Sequence, residues 1–149
     1  MADIVKNAAD AVAHPRIVEF VTLYDGARGD GDFTFPMMRE PEFMKFWDSM
    51  MIARLNEAGD DFLYVLYGTK LVASYGADVT GTTIRGGAHI DAAEAFFAYF
   101  LDALRERKPL YLSGTIDWKD RDHIKWCQVI LPMKRGDAVN EIVSLLCFD

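Results

Sequence analysis

The sequence predicts an α+β fold: one five-stranded antiparallel sheet with helices packed on one face and an N-terminal helical extension. Three observations predict it. A short apolar run, 51–55, and a run rich in aromatic and β-branched residues, 62–67, flank the turn-forming Asn56-Glu57-Ala58-Gly59-Asp60, which is the pattern of a β-hairpin. A long, mostly helical stretch follows, ending in the most clearly periodic segment of the chain, residues 92–107. Three strand-like runs then come in close succession at 110–116, 123–131 and 139–148, and such short links make consecutive strands antiparallel. Strands, then helices, then strands describe helices layered on an antiparallel sheet.

The elements follow in order. Residues 1–13 allow a helix with a modest apolar stripe of Ile4, Val5, Ala8, Ala9 and Val12. After the break at His14-Pro15, the recurrence of Ile17, Phe20, Val21 and Tyr24 predicts an amphipathic helix over 15–27, with Pro15 in its first turn. Gly26, Gly29, Asp30, Gly31 and Asp32 form a turn-rich segment that lacks the lysine-serine or lysine-threonine pair of a phosphate-binding loop. A short helix entered at Pro41 carries Phe43, Phe46 and Trp47 on one side. Beyond the hairpin, Leu71, Val72 and Tyr75 share a helical face before Gly76, a natural C-terminal cap. The long helix over 92–107 opens on Asp91 as N-cap with Glu94 three residues on, carries Phe96, Phe97, Phe100, Leu101 and Leu104, and stops at Pro109. Two parts are expected, an N-terminal helical extension over 1–48 and a domain over 49–149.

Composition narrows the function. The 149 residues are 51% hydrophobic and 13% aromatic, enough to fill one core without metal or disulfide staples. A formal charge of -7, from 23 acidic and 16 basic residues, repels phosphate backbones and anionic lipid surfaces, so neither nucleic acid nor membrane is an expected partner. Cys127 and Cys147 both lie inside apolar runs, where thiols behave as small hydrophobes; a reducing, cytoplasmic setting is the expectation. The first residues lack the apolar stretch of a signal peptide, and no run approaches the ~20 apolar residues of a membrane span.

The local words carry a resemblance. Asp61-Phe62-Leu63-Tyr64-Val65-Leu66-Tyr67-Gly68-Thr69 and the following Tyr75-Gly76-Ala77-Asp78-Val79-Thr80-Gly81 are similar to the aspartate, aromatic, tyrosine, glycine-threonine and glycine, aspartate, threonine-glycine words of a bacterial stand-alone PAS-type family. Pro109-Leu110-Tyr111 and Val129-Ile130-Leu131-Pro132-Met133 agree with it, and Tyr24, Gly26, Arg28, Pro36, Arg39 and Pro41 follow it more loosely, with Tyr24 where the family has tryptophan. The resemblance implies a five-stranded sheet cupping helices around a small-molecule pocket, a homodimer formed through the N-terminal region, and a signalling partner protein. None of these words is catalytic. Gly68, Gly76 and Gly81 fall where the chain must turn, and the hydroxyls of Thr69 and Thr80 suit capping, so their first reading is structural.

Other chemistry finds little support. No cysteine occurs before Cys127, which removes the thiol that flavin photochemistry in PAS relatives requires. The long helix has no histidine to ligate haem, and His89 lies in a glycine-rich loop before it. His14, His89 and His123 show no metal-ligand spacing. His123 and Cys127 on one strand stand ~13 Å apart, too far for a nucleophile and its base. Asp117, Asp120 and Asp122 read as a solvated turn rather than a cation loop.

What remains is an aromatic interior. Tyrosine and tryptophan carry polar ends that need partners when buried, which suits pocket lining as well as core packing. Tyr64, Leu66, Tyr75, Phe96, Phe100 and Trp126 are the candidate ligand-binding residues, with no catalytic residue, no metal ligand and no identified cofactor. The expected function is a non-catalytic, PAS-like sensory or signalling module that binds a small molecule or a protein partner. The rival is a small cone-shaped α+β hydrolase or isomerase with an aromatic cavity, for which Glu94, Asp102 and His123 are the available acids and bases. A third possibility is a structural interaction domain with a filled core.

Overall fold

A computed structural model describes residues 4–86, 92–116 and 124–148. The hairpin forms as expected from β2 (Met50–Leu55) and β3 (Phe62–Tyr67). Its turn is held by Asn56, whose Oδ1 accepts from the Asp60 amide at 3.0 Å while its Nδ2 donates to the Asp60 carboxylate at 2.7 Å. The meander also forms, from β4 (Leu110–Ile116), β5 (Ile124–Arg135) and β6 (Ala138–Phe148). β5 runs past the expected end at Leu131, through Pro132, which stands opposite Ile142. Hairpin and meander join edge to edge where β2 pairs antiparallel with β6, Ile52 facing Val143 and Ala53 facing Ile142.

Among the described residues the sheet has six strands rather than five. The additional strand is β1 (Val5–Lys6), paired with Ser113 and Leu112 of β4, and the order is β1-β4-β5-β6-β2-β3. Residues 1–13 were expected to be helical, yet the exposed backbone edge of β4 needs hydrogen-bond partners. Val5 and Lys6 supply them, and Asn7, at φ 55°, turns the chain away. Among the described residues of that stretch, only α1 (Ala9–Val12) is helical.

α2 (Pro15–Arg28) matches the expected amphipathic helix and buries Ile17, Phe20 and Tyr24; His14 caps it by accepting from the Arg16 amide. After the short α3 (Phe35–Met38), residues Pro41–Ser49 form a 3-10 helix that buries Phe43 and Phe46. α4 (Thr69–Tyr75) ends on Gly76 at φ 96°, the left-handed cap that the glycine predicts. α5 (Ala93–Glu106) is the expected long helix and buries Ala93, Phe100, Ala103 and Leu104. The expected cap Asp91 lies outside the described residues, and Ala92 occupies the N-cap position.

The helices cover both faces of the sheet, not one. α1, α2, α3 and the 3-10 helix bring Ala11, Ile17, Phe20, Met38, Phe43 and Phe46 against Ile52, Val129, Leu131, Val143 and Leu145. α4 and α5 bring Leu71, Phe100, Ala103 and Leu104 against Met51, Tyr64, Leu112, Ile130 and Ile142 on the other side. The physical reason is in the central strands. Every residue from Trp126 to Met133 on β5 is buried, and successive side chains on a strand point to opposite faces. Such a strand is stable only where both faces are covered, and the N-terminal segment supplies the second cover.

The words that carry the PAS resemblance do structural work in this frame. Gly68 joins β3 to α4 where a Cβ would stand 2.3 Å from the Asp48 carbonyl oxygen and 2.7 Å from that of Trp47, so no other residue fits there unaltered. The Asp61 carboxylate accepts from the Phe62 and Arg85 amides, and Asp78 accepts from the amide and hydroxyl of Thr80. Gly81, Thr82 and Ile84 hydrogen-bond along the outer edge of β3, through Tyr64 and Phe62. That loop protects an edge which would otherwise present unpaired backbone groups.

Candidate functional site

The face of the sheet beneath α4 and α5 concentrates the aromatic residues. From the sheet come Phe62, Tyr64 and Tyr67 of β3 and Trp126 of β5; from the helices come Tyr75, Phe96, Phe97 and Phe100. Phe96 bridges helix and sheet, with its ring 6.3 Å from Trp126 and 6.1 Å from Phe100. Phe100 continues the chain to Phe62, edge to face at 5.4 Å, and Phe62 to Phe97 at 5.8 Å. A second group runs from Tyr64 through Tyr67, 5.9 Å away, to Tyr75, a further 6.4 Å. Edge-to-face contacts at these separations hold the rings in fixed orientations.

Burial pushes the phenols of Tyr64, Tyr67 and Tyr75 above the ordinary tyrosine value, and the neighbouring tyrosines add to the effect for Tyr64 and Tyr67. All three therefore stay neutral throughout the physiological range, as donors and acceptors rather than anions.

Five of the six residues expected to bind a ligand share this face: Tyr64, Tyr75, Phe96, Phe100 and Trp126. Leu66 does not; it packs with the opposite cluster. The cause is a bulge. Leu66 pairs with Ile52 and Tyr64 with Ala53, which leaves Val65 as an extra residue and inverts the alternation beyond it. Tyr67, which alternation from Tyr64 places on the far face, turns to this one instead.

The expectation also missed Gln128. It is fully buried on β5, between Trp126 and Ile130, and its register partners are Leu112 on β4 and Leu146 on β6. Its Nε2 donates to the Ser144 hydroxyl at 2.8 Å, and that hydroxyl donates onward to the Val129 carbonyl at 2.8 Å. Among the described residues its Oε1 has no hydrogen-bond partner. The available signal was an amide in the otherwise apolar run Trp126-Cys127-Gln128-Val129-Ile130-Leu131.

Of the acids and bases of the rival enzymatic reading, the two described ones, Glu94 and Asp102, lie elsewhere. The Glu94 side chain is 78% exposed and pairs with Arg85 at 3.0 Å; Asp102 is half-exposed near Lys6. His123 and His89 lie outside the described residues, as do Asp117, Asp120 and Asp122. Among the described residues no three His, Cys, Asp or Glu side chains are grouped to hold a metal ion, and no helix is long and apolar enough to cross a membrane.

A separate groove of about 280 Å³ lies between the end of α2, the end of α5 and the end of β5, lined in part by Tyr24, Arg28, Asp32, Arg107 and Lys134. Its charges have both signs and pair internally, Arg28 with Asp25 at 3.0 Å and Arg107 with Asp32 at 3.2 Å. The Tyr24 hydroxyl is spent on the Pro132 carbonyl at 2.5 Å. This groove offers no net field of one sign to a charged ligand.

No protein-family model matches the chain, and neither a curated protein nor a solved structure matches it.

Proposed function

We propose that this chain is a PAS-like sensory or signalling module that binds a small molecule between its sheet and α5 and catalyses no reaction. The observation that carries the proposal is the β2–β6 junction. It merges the hairpin and the meander into one antiparallel layer, while the helical excursion between them folds back over one face of that layer. The resemblance in residues 61–81 implies that arrangement, and the aromatic groups beneath α5 supply a lining suited to a flat metabolite. The outward positions of Glu94 and Asp102 weigh against the enzymatic rival.

Signal transfer follows from strand alternation. Residues 126, 128 and 130 face α5, while Cys127, Val129 and Leu131 face the N-terminal cover, so a shift of β5 caused by a ligand is felt by α1 and α2. Of the exposed large apolar side chains among the described residues, Val12, Val18 and Met44 belong to that cover, and Val5 lies on the neighbouring edge strand β1. They suit a homodimer or a partner protein of a signalling pathway in the cytoplasm. The test is native mass spectrometry of the purified chain together with thermal shift over a metabolite panel. A retained or stabilising small molecule is expected; the absence of both removes the small-molecule reading.

A further inference from the structure

Resting on that reading, we propose that Gln128 is the polar anchor of the site and that the ligand is a neutral, flat, mostly apolar molecule presenting one N–H or O–H donor. The orientation of the amide is fixed by its neighbours. The Ser144 hydroxyl has one proton, and its contact with the Val129 carbonyl, an acceptor only, uses it. Ser144 Oγ must then accept, so the group facing it is the Gln128 NH2, and the carbonyl Oε1 is the end left over.

A fully buried amide oxygen without a donor carries a desolvation cost that none of the described residues offsets. Methionine or leucine at this position would avoid that cost on the same strand. A ligand donor meeting Oε1 removes it, which gives the glutamine a function that packing alone does not.

The surroundings set the rest of the ligand. Flanking Gln128 on its own strand and across the ladder are Trp126, Ile130, Leu112 and Leu146, all apolar apart from the indole N–H. The buried carboxylate of Glu141 belongs to the opposite face, since it alternates with Ile142. No charged side chain flanks Gln128 on its strand or directly across the ladder, so a net charge meeting its amide would lack an adjacent counter-charge, which disfavours ions. Phe96 and Trp126, their ring centroids 6.3 Å apart and inclined at 36°, make this side of the amide aromatic, which suits a planar body. Gly114, opposite Trp126 on β4, contributes no side chain beside the indole.

The test uses two bicyclic probes of the same shape, indole, which has an N–H, and indene, which lacks one. Calorimetric titration of the wild-type chain is expected to show indole binding about tenfold or more tighter than indene. In Gln128→Met the two probes are expected to bind equally, while the urea midpoint of the variant is no lower than that of wild type, because an unsatisfied group has been removed. Gln128→Leu repeats the comparison should the methionine variant pack poorly. Equal binding of indole and indene by wild type, or a preference that survives both substitutions, overturns the anchor and leaves the small-molecule site standing. Binding of neither probe to wild type overturns the anchor together with the site.

Discussion

Tyr64 and Leu66, two residues apart on β3, point to opposite faces of the sheet because Val65 between them has no partner across the ladder. The two faces therefore carry different consequences for neighbouring substitutions. Phe100→Ala, beneath the candidate site, removes a fully buried ring that contacts Phe62 and Phe96, and is expected to cost about 3–5 kcal/mol. Leu66→Ala, half-buried on the far side, is expected to cost about 1–2 kcal/mol and to leave probe binding unchanged. Urea denaturation and titration of the same samples check both.

Gly68→Ala tests the close approach at the end of β3. The glycine has φ −63°, which alanine adopts freely, so any loss comes from the Asp48 and Trp47 backbone that the methyl group would strike. A loss of about 2–3 kcal/mol is expected, whereas a stabilised variant would show that the junction is looser than this geometry.

The fold, more than the site, could be read from the sequence. Hairpin, long helix and meander were visible because their boundaries are marked by Asn56 to Asp60, Gly76 and Pro109, each of which restricts the backbone locally. The sixth strand was not visible: Val5-Lys6 is a strand only because β4 has an edge to fill. The cover on both faces was implicit in the unbroken burial of β5, but apolar runs without alternation do not say which segment will cover them. Leu66 was misplaced because a bulge leaves no residue-level mark on a run such as Tyr64-Val65-Leu66-Tyr67. Gln128 was overlooked because a lone amide in an apolar strand gains meaning only when its hydrogen-bond partners can be counted.

Glu141 is fully buried yet paired twice, with Arg54 Nε at 3.0 Å and with Arg135 Nε at 2.6 Å, and Arg135 lies over the Phe35 ring at 3.7 Å. Both arginines are about one-third exposed, so losing the carboxylate lets water resolvate them. Glu141→Gln is expected to cost about 1–3 kcal/mol, and the double change Arg54→Met with Arg135→Met more, because it strands a buried charge. Urea midpoints that rank the two in the opposite order would refute this account of the cluster.

Alkaline stability follows from the tyrosines. Burial raises the phenols of Tyr24, Tyr64 and Tyr67 in the folded chain above their ordinary 10.0. Below pH 10 both folded and unfolded states keep these protons, and stability is undiminished. Above it the unfolded chain releases them while the folded chain holds them, so stability falls as pH rises toward the folded values. Absorbance at 295 nm is expected to show part of the tyrosine ionisation coinciding with loss of the folded circular-dichroism signal, and Tyr64→Phe is expected to reduce the steepness of that fall.

The most direct measurement is a two-dimensional nitrogen–proton spectrum of the labelled chain, taken with and without the panel compound that stabilises it most. The account predicts that the Trp126 indole and the Gln128 side-chain amide shift most, with the amides around Phe96 and Phe100 following. Shifts confined to Tyr24, Arg28 and Lys134 in the charged groove, or no shift at any of these groups, would contradict it.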